Sequence, residues 1–501
     1  MTYTQRPLIL FTLLSLLALA SCAISPLAKY QPIAPPADWV EPLPFKQAHD
    51  GKLADLKNWW QQFNDPVLLQ LIEAAQKVSP DIESAKARVI AAQAAVTLTE
   101  GQLLPSLTAD ASASRNHNGV VFPTGNTANI SLNTSWELDV WGKNKADKNE
   151  NQAQLSGNSA LWHEARVIVA AQTATQYLDY RLCENLNNIA KKSAESNAET
   201  ARLSNLSANA GFLAPASASQ ALALAAEASS QFKRQSLQCT LMLKSLVALT
   251  AMPESDLRIA LAKDSAVMPT PNSITVSQIP ANLLLQRPDV LNAERNVAAA
   301  GFEITVTQAQ RYPRLSLAGN IGLTYDNTMR NLFTPKTKSR ITDGTTWSIG
   351  PVAVSLPIFD AGIRAANITA AKAQYEAAKN TYESVARNAV REVEEAMAKL
   401  NSTSQRLEDV NKAADGFKIS LAATQMRYQA NLANLFELED ARRADLQAQT
   451  NVVTLTNERV LAWISLYRAM GGGWTQALNS PVLIFDHELK QTELQNSETI
   501  P

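Results

Sequence analysis

The sequence has little of what most enzymes and nucleic-acid-binding proteins need. Its 501 residues include only three cysteines and four histidines, and its 45 basic and 46 acidic side chains nearly cancel. A nucleic-acid-binding protein usually has a clear basic excess. No metal-ligand spacing, phosphate-binding glycine loop or order typical of a hydrolytic triad is found. The sequence therefore predicts a protein that is not an enzyme and that holds no metal or cofactor.

A long hydrophobic run is also missing after the N-terminus, since no later stretch reaches the ~20 apolar residues of a transmembrane helix. If the mature chain crosses a membrane, it must therefore do so as strands. At the N-terminus itself, Arg6 precedes a short apolar run, and small residues precede Cys22. This order is typical of a bacterial lipoprotein signal.

We predict a signal peptide at residues 1–21, a lipidated, palmitate-bearing Cys22, and a lipid-anchored extended segment at residues 22–57. The alternative is ordinary signal cleavage beside a chance cysteine. Ala23 follows Cys22, and it is compatible with the outer membrane because an Asp at that position commonly marks retention at the inner membrane.

The rest of the chain contains an internal duplication. Pro80 and Pro105 enclose a helical pattern, and Pro288 and Pro313 enclose a second pattern of the same length. Further matches occur at one constant offset: Ala153-Gln154 with Ala373-Gln374, Ala221 with Ala441, and Leu246 with Leu466. Because unrelated segments would not keep one offset over this distance, we predict structural repeats at residues 58–270 and 271–475, followed by a polar tail at 476–501.

Each repeat contains two segments in which apolar and polar residues alternate. A period of two predicts strands, and a length of about 10 residues fits a tilted membrane strand. The predicted strands are at residues 106–115, 128–139, 314–325 and 345–357. A soluble antiparallel sheet with one wet face would show the same pattern, so strands alone cannot decide between the two. The export signal, and Trp136 and Trp347 as candidate interface anchors, favour the membrane.

Two long runs without proline, which begin at Lys143 and Ile363, predict very long helices. Each run turns back at a short segment, 210–215 or 430–434, to give helical hairpins at about residues 143–250 and 361–470. Helices on the order of 100 Å do not fit a globular core. Because four strands cannot close a barrel and lipid does not tolerate open sheet edges, the chain must oligomerise if it spans a membrane. Three copies would supply twelve strands and twelve helices.

Two cysteines test this geometry. Cys183 and Cys239 lie at equal sequence distances from Gly211, which is in the predicted turn of the first hairpin. Residues equidistant from a turn face each other across antiparallel helices, and an exported chain is in an oxidising compartment. We therefore predict a Cys183–Cys239 disulfide. The alternative is two unrelated buried thiols.

Five segments of the sequence resemble those of the outer-membrane efflux channel lipoproteins, the outer-membrane factors of tripartite resistance-nodulation-division pumps. The segments are Asn58-Trp59-Trp60 through Ile72, Ser135-Trp136-Glu137-Leu138 through Lys143, Leu284-Leu285-Gln286-Arg287-Pro288-Asp289, Trp347 through Gly362, and Leu466-Tyr467-Arg468 through Trp474. They follow one another in unbroken order over most of the chain.

The resemblance implies an α+β fold class, in which long antiparallel helical hairpins form a periplasmic α-barrel. Four membrane β-strands per chain would contribute to a trimeric twelve-stranded β-barrel. It also implies a homotrimer in the cell outer membrane that extends into the periplasm and docks with a periplasmic adaptor (membrane fusion) protein and an inner-membrane transporter. The implied function is a passive exit channel for drugs or other small toxic compounds, and hence antibiotic resistance.

The resemblance also implies a gate at the periplasmic tip of the second hairpin, which closes like an iris. Phe436 stands where the family places an apolar gate residue, and Asp440 where it places the gate aspartate. Glu437, Glu439 and Arg443 are neighbours that could form salt bridges in the closed state. A ring of acids attracts cations and repels anions. The alternative is an ordinary solvated helix start rich in acids.

The first hairpin departs from the family pattern, because Ser217 and Gln220 stand where an acid and a basic residue are often found. This puts a tether between the hairpins in doubt. Two alternative functions also stay open: the outlet of a secretion system or metal-ion exporter, and a periplasm-spanning structural lipoprotein without membrane strands.

Overall fold

The computed structural model describes residues 59–118, 122–263, 266–270, 287–326 and 344–473. The predicted signal peptide, Cys22, the segment 22–57 and the tail 476–501 lie outside the described residues. The chain divides into two compact units. Of the described residues, one unit includes 88–118, 122–158, 292–326 and 344–383, and the other includes 59–87, 159–263, 266–270, 287–291 and 384–473.

The order of elements follows the predicted duplication. The first repeat contains a 3₁₀ helix Trp59–Phe63, α1 (Pro66–Val78), α2 (Pro80–Gly101), β1 (Ser106–Asn118), β2 (Phe122–Leu138), α3 (Lys143–Asn209), α4 (Pro215–Thr250) and α5 (Glu254–Ala262). The second contains α6 (Pro288–Ala309), β3 (Arg314–Asp326), β4 (Gly344–Ser355), α7 (Ile363–Gln429), α8 (Leu435–Ala469) and a 3₁₀ turn Gly471–Gly473. Helices α3 and α7 have the same length, 67 residues. In the described ranges, no helix combines the length and the apolar character that crossing a bilayer would need.

The four strands form one antiparallel sheet in the order β1-β2-β3-β4. Leu132 pairs with Ile321, and Ile321 pairs with Trp347 on the other side. All three side chains are exposed. On the opposite face, the Asn133 amide donates to the Asp110 carboxylate at 2.6 Å. The alternation therefore gives the sheet one apolar and one polar face.

The pairing of β2 with β3, which joins the two repeats, depends on a glycine. An added Cβ at Gly322 would lie 2.8 Å from the carbonyl oxygen of Ile130 and 2.9 Å from the Cβ of Ser131. Such distances are too short for carbon, so a larger residue would push the strands apart. Gly344, at the start of β4, has no atom within 4 Å of the corresponding position.

An aspartate marks each transition from strand to long helix. The Asp139 carboxylate accepts the backbone N–H groups of Asn144 and Lys145 at 3.1 and 2.9 Å. The Asp360 carboxylate accepts those of Gly362 and Arg364, both at 3.1 Å. The first N–H groups of a helix have no partner inside the helix, so these contacts favour starting α3 and α7 here. In both repeats, an aspartate carboxylate therefore caps the start of the long helix.

The second unit contains a polar network between α1, α3 and α5. The Asp65 carboxylate caps α1 and accepts the Tyr177 hydroxyl at 2.6 Å. Tyr177 in turn accepts the Arg181 Nε–H at 3.0 Å, and Arg181 donates to the Leu261 carbonyl at 2.8 Å. Arg181 is fully buried, and its charge is balanced by Glu184 at 2.7 Å. A buried charge is tolerated only with such partners.

Candidate functional site

The turn of the second hairpin contains the predicted gate residues. Helix α7 ends at Gln429, and Asn431 takes a left-handed conformation with φ of 58°. Asn434 then caps α8, because its side-chain oxygen accepts the Glu437 N–H at 2.9 Å. Asn suits both positions, since its short polar side chain tolerates the left-handed region and forms a good N-cap.

Three of the predicted gate residues are on the solvent side of this turn. Glu437 is exposed and lies 3.4 Å from Arg427 at the end of α7. Asp440 and Arg443 form an ion pair at 2.6 Å, and their side chains are 74% and 65% exposed. Such an exposed pair contributes little to stability. These carboxylates are therefore free to respond to ions or to other chains.

Phe436 and Glu439 are less accessible. Phe436 is half-buried, whereas Glu439 is buried within the protein. The Glu439 carboxylate is 2.6 Å from Arg442 Nη1 and 3.1 Å, through both oxygens, from the Ser196 hydroxyl on α3. The five predicted residues thus divide into three groups. Glu437, Asp440 and Arg443 are exposed to solvent, Phe436 is half-buried, and Glu439 contacts the first hairpin.

Sequence reasoning missed Ser196 and Arg442. The spacing of Glu439 and Arg442, three residues apart on a helix, was a usable signal for an ion pair. No comparable signal identifies Ser196, because 243 residues separate it from Glu439.

The turn of the first hairpin has a different chemistry. Gly211 has φ of 78°, and Phe212 beside it is 87% exposed. Ala214, at the N-cap of α4, makes no side-chain hydrogen bond, and Pro215 occupies the first helical position. Proline is well placed there because its missing N–H would lack a partner anyway. This turn carries no charged side chain.

The structure joins Cys183 of α3 to Cys239 of α4 by a disulfide. Their Cα atoms are 5.5 Å apart, a common distance for a disulfide. The side-chain amide of Gln235 lies 3.2 Å from the Cys183 sulfur. The covalent link therefore crosses the first hairpin well away from its turn.

A small polar cavity of about 160 Å³ lies elsewhere in the same unit. Arg287 donates from Nη2 to Asp289 at 2.7 Å and to Glu392 at 2.9 Å. Glu164 also lines the cavity, and burial, followed by the nearby Asp289 carboxylate, raises its pKa to about 7. Among the described residues, no set of three or more His, Cys, Asp or Glu side chains is arranged to hold a metal ion. Paired charged side chains therefore line the cavity.

Comparison with known proteins gives the family. The model of the outer membrane efflux protein family matches residues 71–252 and 279–472. The solvent efflux pump outer membrane protein SrpC of Pseudomonas putida is 27% identical over 478 residues, which cover 93% of this chain and 98% of that protein. The probable outer membrane lipoprotein SilC of Salmonella typhimurium is 25% identical over 431 residues, covering 83% and 88%.

Solved structures show the same fold. The outer-membrane channel OprN is 25% identical, with a TM-score of 0.78, and the match covers 90% of this chain and all of that one. The CmeC outer membrane channel of Campylobacter jejuni is 23% identical, with a TM-score of 0.76, and the match covers 90% and 98%. The predicted fold class with its internal duplication, the efflux function and the outer-membrane location are confirmed. The chain belongs to the outer membrane efflux protein family.

Proposed function

We propose that three copies of this outer membrane efflux protein form one passive exit duct of a tripartite pump. The observation that carries the proposal is the four-stranded sheet, which has an apolar face and ends in β1 and β4. Sheet edges are not tolerated in lipid, so the edges of each copy must pair with those of its neighbours. Three copies close a twelve-stranded barrel with its polar face inside.

The duct supplies a path and no chemistry of its own. Energy comes from an inner-membrane resistance-nodulation-division transporter, reached through a periplasmic adaptor protein. The naming of relatives such as SrpC as outer membrane proteins of efflux pumps supports these partners. The cargo that we propose is drugs or other small toxic compounds. Deleting the protein should sensitise cells to dyes, detergents and antibiotics, and unchanged sensitivity to all of them would contradict the proposal.

Lipidation of Cys22 would anchor the duct at the membrane surface. The order of apolar run, small residues and Cys in the sequence supports it, as does the relative named as a probable outer membrane lipoprotein. Metabolic labelling with radioactive palmitate tests the proposal directly. Label should enter the wild-type protein and be absent from a Cys22→Ala variant.

The turn of the second hairpin would be the gate. In a trimer, three copies of Asp440 and Glu437 would form acidic rings at the narrow end, and Phe436 would fill the space between helices. The exposure of the Asp440 side chain supports this role, as does its ion pair with the equally exposed Arg443. Acids concentrated in a narrow ring favour cations over anions.

Conductance in planar lipid bilayers tests the gate. Phe436→Ala and Asp440→Ala should each raise the conductance of the purified trimer, because each removes a group that narrows or closes the tip. Matched controls are Phe417→Ala and Asp415→Ala, at exposed positions on α7 away from the turn. Unchanged conductance in both gate variants would refute the assignment.

A further inference from the structure

The apolar face of the sheet carries one charged side chain, that of Arg115 on β1. Ala109 of β1 pairs with Leu132, so the odd-numbered positions of this strand share the apolar face, and Arg115 is among them. The Arg115 side chain is exposed. Among the described strand residues, every other position that the pairing puts on this face is uncharged. A lone charge on an otherwise apolar face requires a partner outside the chain or access to water.

Arg115 lies at the end of the sheet that is farther from the long helices. At the near end, β2 stops at Leu138 and α3 starts at Lys143. At the far end, Asn118 pairs with Phe122 just beyond Arg115. Because the helices of this outer-membrane protein extend into the periplasm, the far end of the sheet faces the cell exterior. Arg115 is therefore on the exterior side.

The position of Arg115 also matches the upper limit of a membrane-facing apolar band. Arg115 pairs with Asn126 of β2, and Trp136 lies ten residues away on the same strand and face (136 − 126). At ~3.4 Å per residue and a tilt of ~40°, these ten residues span about 26 Å across the membrane. The apolar band of an outer-membrane barrel is ~25 Å tall and has aromatic residues at both boundaries. Tyr325, which pairs with Ala128, supplies an aromatic ring next to the Arg115 level.

An arginine at this height reaches lipid headgroups. A charge that faces lipid is strongly destabilising at the midplane of the bilayer and almost neutral at the interface. The long apolar stem of arginine allows its guanidinium to extend from the apolar band into the headgroup layer. There the planar guanidinium can donate two parallel hydrogen bonds to a phosphate. Its cross-strand neighbour Asn126 is uncharged and does not repel such an anion.

We propose that Arg115 binds the phosphate of an anionic lipid headgroup in the outer leaflet. The trimer would have three such contacts, one on each copy. Pairing of β1 with a neighbouring copy uses the backbone groups of its edge and leaves the Arg115 side chain facing the lipid. The inference rests on the proposed trimeric duct, because a closed barrel with its polar face inside is what turns Arg115 toward lipid.

The test is the affinity of the purified trimer for diphosphorylated lipid A, measured by native mass spectrometry from detergent. Arg115→Gln should bind lipid A about tenfold more weakly than the wild type, because the charge-assisted hydrogen bonds are lost. Arg115→Lys should be intermediate, since lysine keeps the charge but cannot bind in a bidentate manner. Arg314→Gln is the matched control, because Arg314 is an exposed arginine of the same sheet on its polar face. It should bind like the wild type.

Four results would overturn the lipid contact while leaving the duct intact. They are equal binding by the wild type and Arg115→Gln, an equal loss in Arg314→Gln, equal binding of lipid A without its phosphates, and equal thermal protection of the trimer by inorganic phosphate at the same concentration. The last result would mean a site for a free anion. A protein that stays monomeric in detergent and in lipid vesicles would instead overturn the proposed duct, and the lipid contact with it.

Discussion

The two helical hairpins share one backbone plan and are held together differently. The first has a covalent link, Cys183–Cys239, and an uncharged turn. The second has no cysteine, and ion pairs cross between its helices at Arg427–Glu437 and Arg406–Glu458. A disulfide fixes two helices permanently, whereas exposed ion pairs are weak and exchange with water. The two duplicated hairpins thus differ in how their helices are joined. Those of the first are fixed by a covalent bond, whereas those of the second are joined by weaker contacts that permit movement.

Removing the disulfide should have the largest effect on the difference in stability between the two hairpins. The cysteines are 56 residues apart, and a loop of that size predicts a loss of about 4 kcal/mol in the free energy of unfolding of the first hairpin. Urea unfolding of a Cys183→Ala/Cys239→Ala variant measures it. Reducing agent should destabilise the wild type by a similar amount and leave the variant unchanged. Free thiols at both positions in non-reducing peptide maps would contradict the prediction.

A second difference between the hairpins is a titrating group. Burial raises the pKa of Glu164 on α3 from its usual range to about 7, whereas the repeat-equivalent residue on α7 is Ser384. A raised pKa means that folding favours the protonated acid, so this contribution to stability is complete below pH ~4.5 and is lost as pH rises to about 7.

Glu164→Gln should therefore remove part of the pH dependence and make the protein relatively more stable than the wild type above pH ~7. Thermal melting between pH 4.5 and 8 measures this, with the exposed Glu73→Gln as control. A Glu164→Gln melting curve that follows the wild type at every pH would show that Glu164 does not titrate in this range.

The helix caps at the two turns should give the smallest effect. Asn434→Ala removes the hydrogen bond to the Glu437 N–H and should cost about 1 kcal/mol. Ala214→Ser adds a cap that the first turn lacks and should stabilise α4 by about 0.5 kcal/mol. Hydrogen exchange in the first turns of α8 and α4 measures each change. Equal protection in all three proteins would mean that the caps do not distinguish the turns.

Much of the fold follows from periodicity and proline spacing. The predicted second and third strands, 128–139 and 314–325, compare with Phe122–Leu138 and Arg314–Asp326, and the first hairpin starts at Lys143 in both. Long segments with one hydrophobic period predict secondary structure reliably, because each further residue adds evidence for the same helix or strand. Helix α5 and the 3₁₀ helix at Trp59 are too short to carry such a signal, and they were not predicted.

The site was less predictable than the fold. The resemblance to the family motif singled out Phe436 and Asp440 as candidate gate residues. The role of each acidic side chain depends on whether it is buried, and its burial depends on the register of α8 against α3. That register brings Glu439 to Ser196 and leaves Asp440 in solvent. A single sequence does not encode such a register in any local pattern, because the two partners are on different repeats.

The pairing of β2 with β3 has a consequence for biogenesis. Strands β1 and β2 are neighbours in the chain, but Ser131 pairs with Gly322, and the whole first hairpin lies between them. Contacts so distant in sequence form slowly because a long loop must close first. The sheet therefore cannot be completed until the second repeat has been exported as far as β4. Until β3 has arrived, the edge of β2 has no strand to pair with, and insertion into the membrane has to wait for more than half of the chain to arrive.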